Sequence, residues 1–168
     1  MEYILESARL KLRKLNYDDC TFLIELLNSP AWLEYIGDRG VKSVQDAKLY
    51  LDNGPLKSYK ENKFGLSLIE LKETNTPIGM CGIIYRDNLD LPDIGFALLP
   101  NYIGKGYAKE IATETVKYAN DNLNIKNISG ITLPTNIGSI KVLESIGLIF
   151  RKTIVFPDSE EELLYFSN

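Results

Sequence analysis

Residues 93–110 constrain what this chain can fold into more than any other stretch. Asp93-Ile94-Gly95-Phe96-Ala97-Leu98-Leu99 reads as a strand that stops at Pro100. Gly104-Lys105-Gly106 then opens a run from Tyr107 to Leu123 in which Ala108, Ile111, Ala112, Thr115, Val116 and Ala119 share one helical face. The first amides of such a helix, around Tyr107 and Ala108, have no partners within it and sit at the positive end of its dipole, so they suit a pyrophosphate. Gly104 and Gly106 let the backbone approach an anion with no side chain between, and Lys105 and Lys109 add local positive charge. Gly-x-Gly at a helix start also serves as a plain tight connection, so the pattern by itself leaves both readings open.

The flanking sequence supplies the other elements. Arg9 to Leu15 alternates polar and apolar residues and reads as a first strand, and Phe22, Leu23, Leu26 and Leu27 mark a helix between Asp18 and Leu27. Ser43 offers an N-cap for a second helix holding Val44, Ala47, Tyr50 and Leu51, which Asn53-Gly54-Pro55 interrupts. Phe64–Leu71 and Ile78–Tyr85 predict a hairpin. Ile128–Leu133 predicts a strand, Asn136–Ile146 a helix closed by Gly147, and Leu148–Phe156 and Leu163–Phe166 the last strands. The order predicts one α/β (α+β) domain over residues 1–168: a mixed, mostly antiparallel twisted sheet of six to seven strands with helices on both faces.

Composition narrows the chemistry. The 168 residues contain no histidine, which removes the commonest general base and zinc ligand, and Cys20 and Cys81 lack a paired-ligand spacing. No metal and no disulfide are expected, and both thiols read as half-buried and inert. A net charge of −4 argues against a DNA-binding surface. No apolar run is long enough to span a bilayer and the N-terminus lacks a signal-peptide flank, so a membrane partner is not expected and a soluble, cytoplasmic protein is. Neither a monomer nor a homodimer is excluded by the sequence.

Arg9-Leu10-x-Leu12-Arg13, Pro77-Ile78-Gly79 and residues 93–110 together resemble the GNAT superfamily of N-acetyltransferases, most of all its ribosomal-protein (RimJ/RimL-like) branch. The resemblance covers nearly the whole chain. It implies an acyltransferase that uses acetyl-coenzyme A as cosubstrate. That superfamily places Gln or Arg, two residues, then Gly-x-Gly around the coenzyme pyrophosphate; this chain has Asn101-Tyr102-Ile103-Gly104-Lys105-Gly106, so Asn101 departs from the pattern while the amide cradle is kept. Asn136-Ile137-Gly138-Ser139-Ile140-Lys141 resembles the branch's Asn-x-x-Ser motif, which implies that Asn136, Ser139 and Lys141 face the coenzyme, Asn136 on the pantetheine arm and Ser139 near the thioester sulfur. Asn136 and Ser139 are equally good helix caps, and the two roles are compatible. The strand's Phe96, Ala97 and Leu98 are expected to offer backbone groups to pantetheine, with the Phe96 ring in the core. Many relatives carry a tyrosine acid four residues after the serine, where this chain has Leu143.

An ammonium acceptor must lose a proton before its nitrogen attacks a thioester. Asp93 is similar in placement to the catalytic glutamate of histone acetyltransferases of the superfamily; a strand-end aspartate bonded to turn amides is the competing reading. Tyr85, Arg86 and Asp87, and Trp32, Tyr35, Gly37, Asp38 and Arg39, are expected around the acceptor. The sequence thus points to direct acetyl transfer to a primary amine, a protein N-terminus or a small molecule. A coenzyme-binding sensor without turnover is the alternative from another class.

Overall fold

The alternating Leu10, Leu12 and Arg13 form strand β2 (Leu10–Arg13), flanked by a two-residue β1 (Leu5–Glu6) and by β3 (Ser67–Leu71) in the computed structural model, which describes residues 1–168. β4 (Pro77–Ile84) and β5 (Asp93–Leu98) extend the antiparallel ladder. β6 (Ser129–Thr132) joins β5 in parallel, and β7 (Ile149–Ile154) and β8 (Leu163–Ser167) complete one sheet in the order β1-β2-β3-β4-β5-β6-β8-β7. Eight strands therefore replace the six to seven expected; the added one, β1, is a two-residue segment whose only signal is its pairing with β2.

Six α-helices pack on this sheet: α1 (Cys20–Leu27), α2 (Pro30–Tyr35), α3 (Val44–Asn53), α4 (Pro55–Asn62), α5 (Tyr107–Asn122) and α6 (Ile137–Ser145). Ser43 caps α3 as expected, accepting from the Asp46 amide while the Asp46 carboxylate accepts from Ser43 N. Pro55 ends nothing. It occupies the first turn of α4, where its missing N–H has no cost, so the expected interruption is a junction between two helices.

Successive side chains on a strand point to opposite faces, and Leu68 and Ile69 of β3 accordingly enter separate cores. Ile69 joins Ile78, Ile83, Ile94, Ile111, Ala112 and Leu143 beneath α5 and α6, whereas Leu68 joins Leu23, Leu26, Leu51 and Met80 beneath α1 and α3. A register slip opposite Ile69 and Glu70 lets Ile78 and Cys81, three residues apart on β4, reach the same core. Each Leu or Ile removed from water in this way contributes about 1.5–3 kcal/mol of transfer free energy. Both cysteines are buried rather than half-buried, and burial pushes the Cys81 thiol up to about 12, against weaker lowering by Thr115 and the Gly82 amide. It is no nucleophile at neutral pH. No helix is long and apolar enough to cross a membrane.

Candidate active site

The sheet splits between β5 and β6. β5 pairs with β4 over all six residues, Asp93 to Leu98, but meets β6 only where Asp93 stands opposite Ser129. Beyond that pair the strands separate, and the β6-facing edge of β5 has backbone groups without ladder partners, which an extended amide-bearing ligand can use. A cavity of about 970 Å³ opens there. Gly95, Phe96 and Ala97 line it from β5, Ile131 and Thr132 from β6, and Asn136 and Ser139 from α6.

Asp93 lies at the apex of the fork and is 1% exposed. Its Oδ2 accepts from Arg86 Nε at 2.7 Å, while Oδ1 has no hydrogen-bond partner. Burial raises the carboxyl from 3.8 to about 6, opposed by the Arg86 charge and hydrogen bond and by the Ile131 amide, which faces the carboxylate without closing a bond. A carboxyl poised there can take up and release a proton near neutral pH. Direct access is narrow: the Asp93 side chain is 1% exposed at the cavity wall, whereas that of its partner Arg86 is 36% exposed.

At the other wall, the Asn136 side-chain oxygen accepts from the Ser139 amide at 3.2 Å and caps α6, so the capping role is real. Its NH₂ group and the Ser139 hydroxyl make no bond to protein and remain available to a ligand. Leu143, in the position where a tyrosine was absent, is 1% exposed and packs on β6; a Cβ at Gly130 would stand 2.5 Å from Leu143 Cδ2. Lys141 is exposed on α6 and lies away from the cavity lining.

The glycine turn sits past the end of β5. Gly104 and Gly106 adopt φ +79° and +82°, the left-handed region that side-chain-bearing residues rarely enter, and no atom lies within 4 Å of a Cβ placed on Gly104. Gly106 is the N-cap of α5. Asn101 and Ile103 are exposed on the turn, Lys105 is exposed between the glycines, and Tyr107 and Ala108 pack partly into the α5 core. None of residues 101–108, nor the buried Leu98, lines the cavity itself; the turn forms a separate station at the C-terminal end of β5.

Trp32, Tyr35 and Arg39 line the cavity, as do Tyr85, Arg86 and Asp87; Gly37 and Asp38 do not reach it. A further part of the wall was not foreseen. It comes from α3 and α4 and includes Asp46, Tyr50, Ser58 and Glu61. Tyr50, whose phenol burial raises against the lowering charges of Arg39 and Arg86, is expected from the sequence only as a residue of the second helix. Ile131 and Thr132 were missed as well, since only the fork turns these strand residues toward a ligand.

The model of the acetyltransferase (GNAT) domain matches residues 9–149. The uncharacterized N-acetyltransferase p20 of Bacillus licheniformis is 30% identical over 160 residues, 94% of this chain and 87% of that protein. RimL, a ribosomal alpha-N-protein acetyltransferase solved with coenzyme A, superposes with a TM-score of 0.84 over 99% of this chain and 97% of its own at 15% identity. An acetyltransferase from Agrobacterium tumefaciens does so at 0.82 over 100% and 94%, at 24% identity. A forked sheet, a glycine turn opening α5 and a family match over most of the length agree: the chain belongs to the GNAT family of acetyltransferases.

Proposed function

We propose that the protein binds acetyl-coenzyme A across the β5–β6 fork and transfers its acetyl group directly to a primary amine held in the same cavity. The fork carries this reading. It provides an unpaired backbone edge for pantetheine along Phe96, Ala97 and Leu98, an open glycine turn for pyrophosphate at one end, and a walled cavity at the other. Helix dipole and free amides at α5 favour an anion there. Ser139 and the Asn136 amide stand where a leaving thiolate and the pantetheine arm need donors. Asp93, ionised, is the base: of the carboxylates that line the cavity it alone stands at the apex of the fork with its carboxyl raised to about 6, and it takes the acceptor's proton through water, since it is too enclosed to touch a bulky amine.

The acceptor is a peptide N-terminus or a small amine. RimL is a ribosomal-protein acetyltransferase, and among other fold neighbours are an aminoglycoside acetyltransferase solved with coenzyme A and a spermidine N-acetyltransferase chimera, which span both classes. The cavity wall mixes Arg39 and Arg86 with Asp46, Asp87 and Glu61, which suits an amine flanked by polar groups. The buried Leu143 in place of a tyrosine favours one competing reading, a coenzyme-binding module without turnover.

Acetyl-coenzyme A at a hundred times its Kd should stabilise the native state by about 2.7 kcal/mol, seen as a raised Tm, while ATP and NAD fall short of it. Release of free thiol with a panel of amines separates enzyme from sensor. Equal shifts from all three ligands, or none from acetyl-coenzyme A, would sink the coenzyme assignment.

A further inference from the structure

The Gly104–Gly106 turn is held by a residue nearly a hundred positions earlier in the chain. Arg9 Nη1 donates to the Lys105 carbonyl at 3.1 Å, and Arg9 Nε pairs with Glu110 Oε2 at 2.7 Å. The other Glu110 oxygen accepts from the Arg9 amide at 2.7 Å and the Ser7 hydroxyl at 2.6 Å. The guanidinium also lies 4.3 Å from the Tyr107 ring centroid, and its Nη2 is 3.4 Å from where a Cβ on Gly106 would stand.

Two consequences follow from peptide geometry and charge. In a trans peptide the C=O and N–H point in opposite directions, so fixing the Lys105 carbonyl on Arg9 turns the Gly106 N–H away from Arg9, to the opposite side of the turn. With open space around Gly104 and left-handed φ at both glycines, Arg9 is the side chain that keeps this peptide from rotating. Secondly, Glu110 places a carboxylate in the first turn of α5, where it competes with an anionic ligand for the same positive helix end. Arg9 neutralises it. Burial works to raise the Glu110 carboxyl, yet Ser7 and Arg9 together hold it below its ordinary value and therefore ionised and tied to the clamp.

We propose that Arg9 is a positioning residue for coenzyme recognition: it orients the Gly106 amide toward the pyrophosphate and shields that anion from Glu110. This rests on the coenzyme reading above, and it answers the departure at Asn101, because a cation beside the turn comes instead from the residue just before β2.

The test compares two ligands that share the pantetheine arm, only one of which, coenzyme A, carries the pyrophosphate. Titration calorimetry gives Kd for coenzyme A, and displacement gives it for S-acetylpantetheine. Arg9→Ala should weaken coenzyme A by roughly tenfold or more, the scale of one charge-assisted bond plus an exposed like charge, and leave S-acetylpantetheine within about twofold. Arg9→Lys keeps the charge near Glu110 but cannot hold the Lys105 carbonyl in the same fork, so it should lose a smaller factor with the same ligand preference; it carries the test should Arg9→Ala fail to fold. Unchanged coenzyme A affinity, or equal loss for both ligands, overturns the role of Arg9 while leaving the coenzyme reading intact. Failure of the unmodified protein to bind coenzyme A overturns that reading, and this one with it.

Discussion

Arg13 and Arg86 each meet a carboxylate inside the sheet, under different terms. Arg13, Asp19 and Glu70 are 6%, 5% and 4% exposed, and Arg13 makes four bonds: two to Asp19, at 2.9 and 2.8 Å, one to Glu70 at 2.7 Å and one to the Lys14 carbonyl at 3.1 Å. The remaining lone pairs are also used, by the Asn16 amide on Asp19 and the Tyr3 hydroxyl on Glu70. The Asp19 hydrogen bond leads the raising of the Arg13 pKa above its already high ordinary value, against burial. Asp93, more deeply buried than any of them, has a single partner and an unbonded Oδ1. A fully satisfied buried network is what a structural role needs, whereas a half-satisfied carboxyl at the point where a sheet divides is the pattern of a candidate functional group, which is why the proposed mechanism gives the base to Asp93 and not to Asp19.

The comparison breaks most visibly in turnover. Asp93→Asn should lower kcat by roughly 10²- to 10⁴-fold with a strongly basic amine, the usual contribution of a positioned acid or base, with coenzyme binding retained. Normal turnover would make Asp93 as structural as Asp19. Asp19→Ala should do the reverse. Removing one partner from the buried Arg13 network should cost about 3–5 kcal/mol in denaturant unfolding, and kcat per folded molecule should not change. A loss of kcat in that variant would mean the two clusters are coupled through β3 and β4.

Short-range signals carried the site's frame into the sequence. The glycine turn, the α6 cap and the Ser43 N-cap each need only a few adjacent residues, and all are where the sequence put them. What was illegible depends on distant partners. β1 exists only because Leu5 and Glu6 meet Leu12 and Lys11, and α2 and α4 are short segments of six and eight residues, each opened by a proline that reads locally as a break. Tyr50 and Thr132 become cavity residues only through the α3 wall and the fork. Arg9 was visible as part of a strand motif, but its clamp spans 101 residues to Glu110 and no local pattern announces it.

The smallest expected effect concerns how Asp93 couples folding to pH. Burial lifts its carboxyl from 3.8 to about 6 in the folded state, despite Arg86, so the native protein holds this proton more tightly than the unfolded chain does. The linked stability is fully present below the unfolded value and is lost as pH rises through about 6, a difference of about 3 kcal/mol across that window. Asp93→Asn cannot titrate there. Its stability relative to the unmodified protein should therefore climb by about that amount between roughly pH 4 and pH 8, whatever constant offset the altered contact with Arg86 introduces. Urea midpoints of the two proteins across that range measure the slope, and a flat difference would mean that Arg86 fully offsets burial. In that event Asp93 would be ionised well below neutrality, and the turnover of the unmodified protein would lose the rise through about pH 6 that a base of this pKa requires.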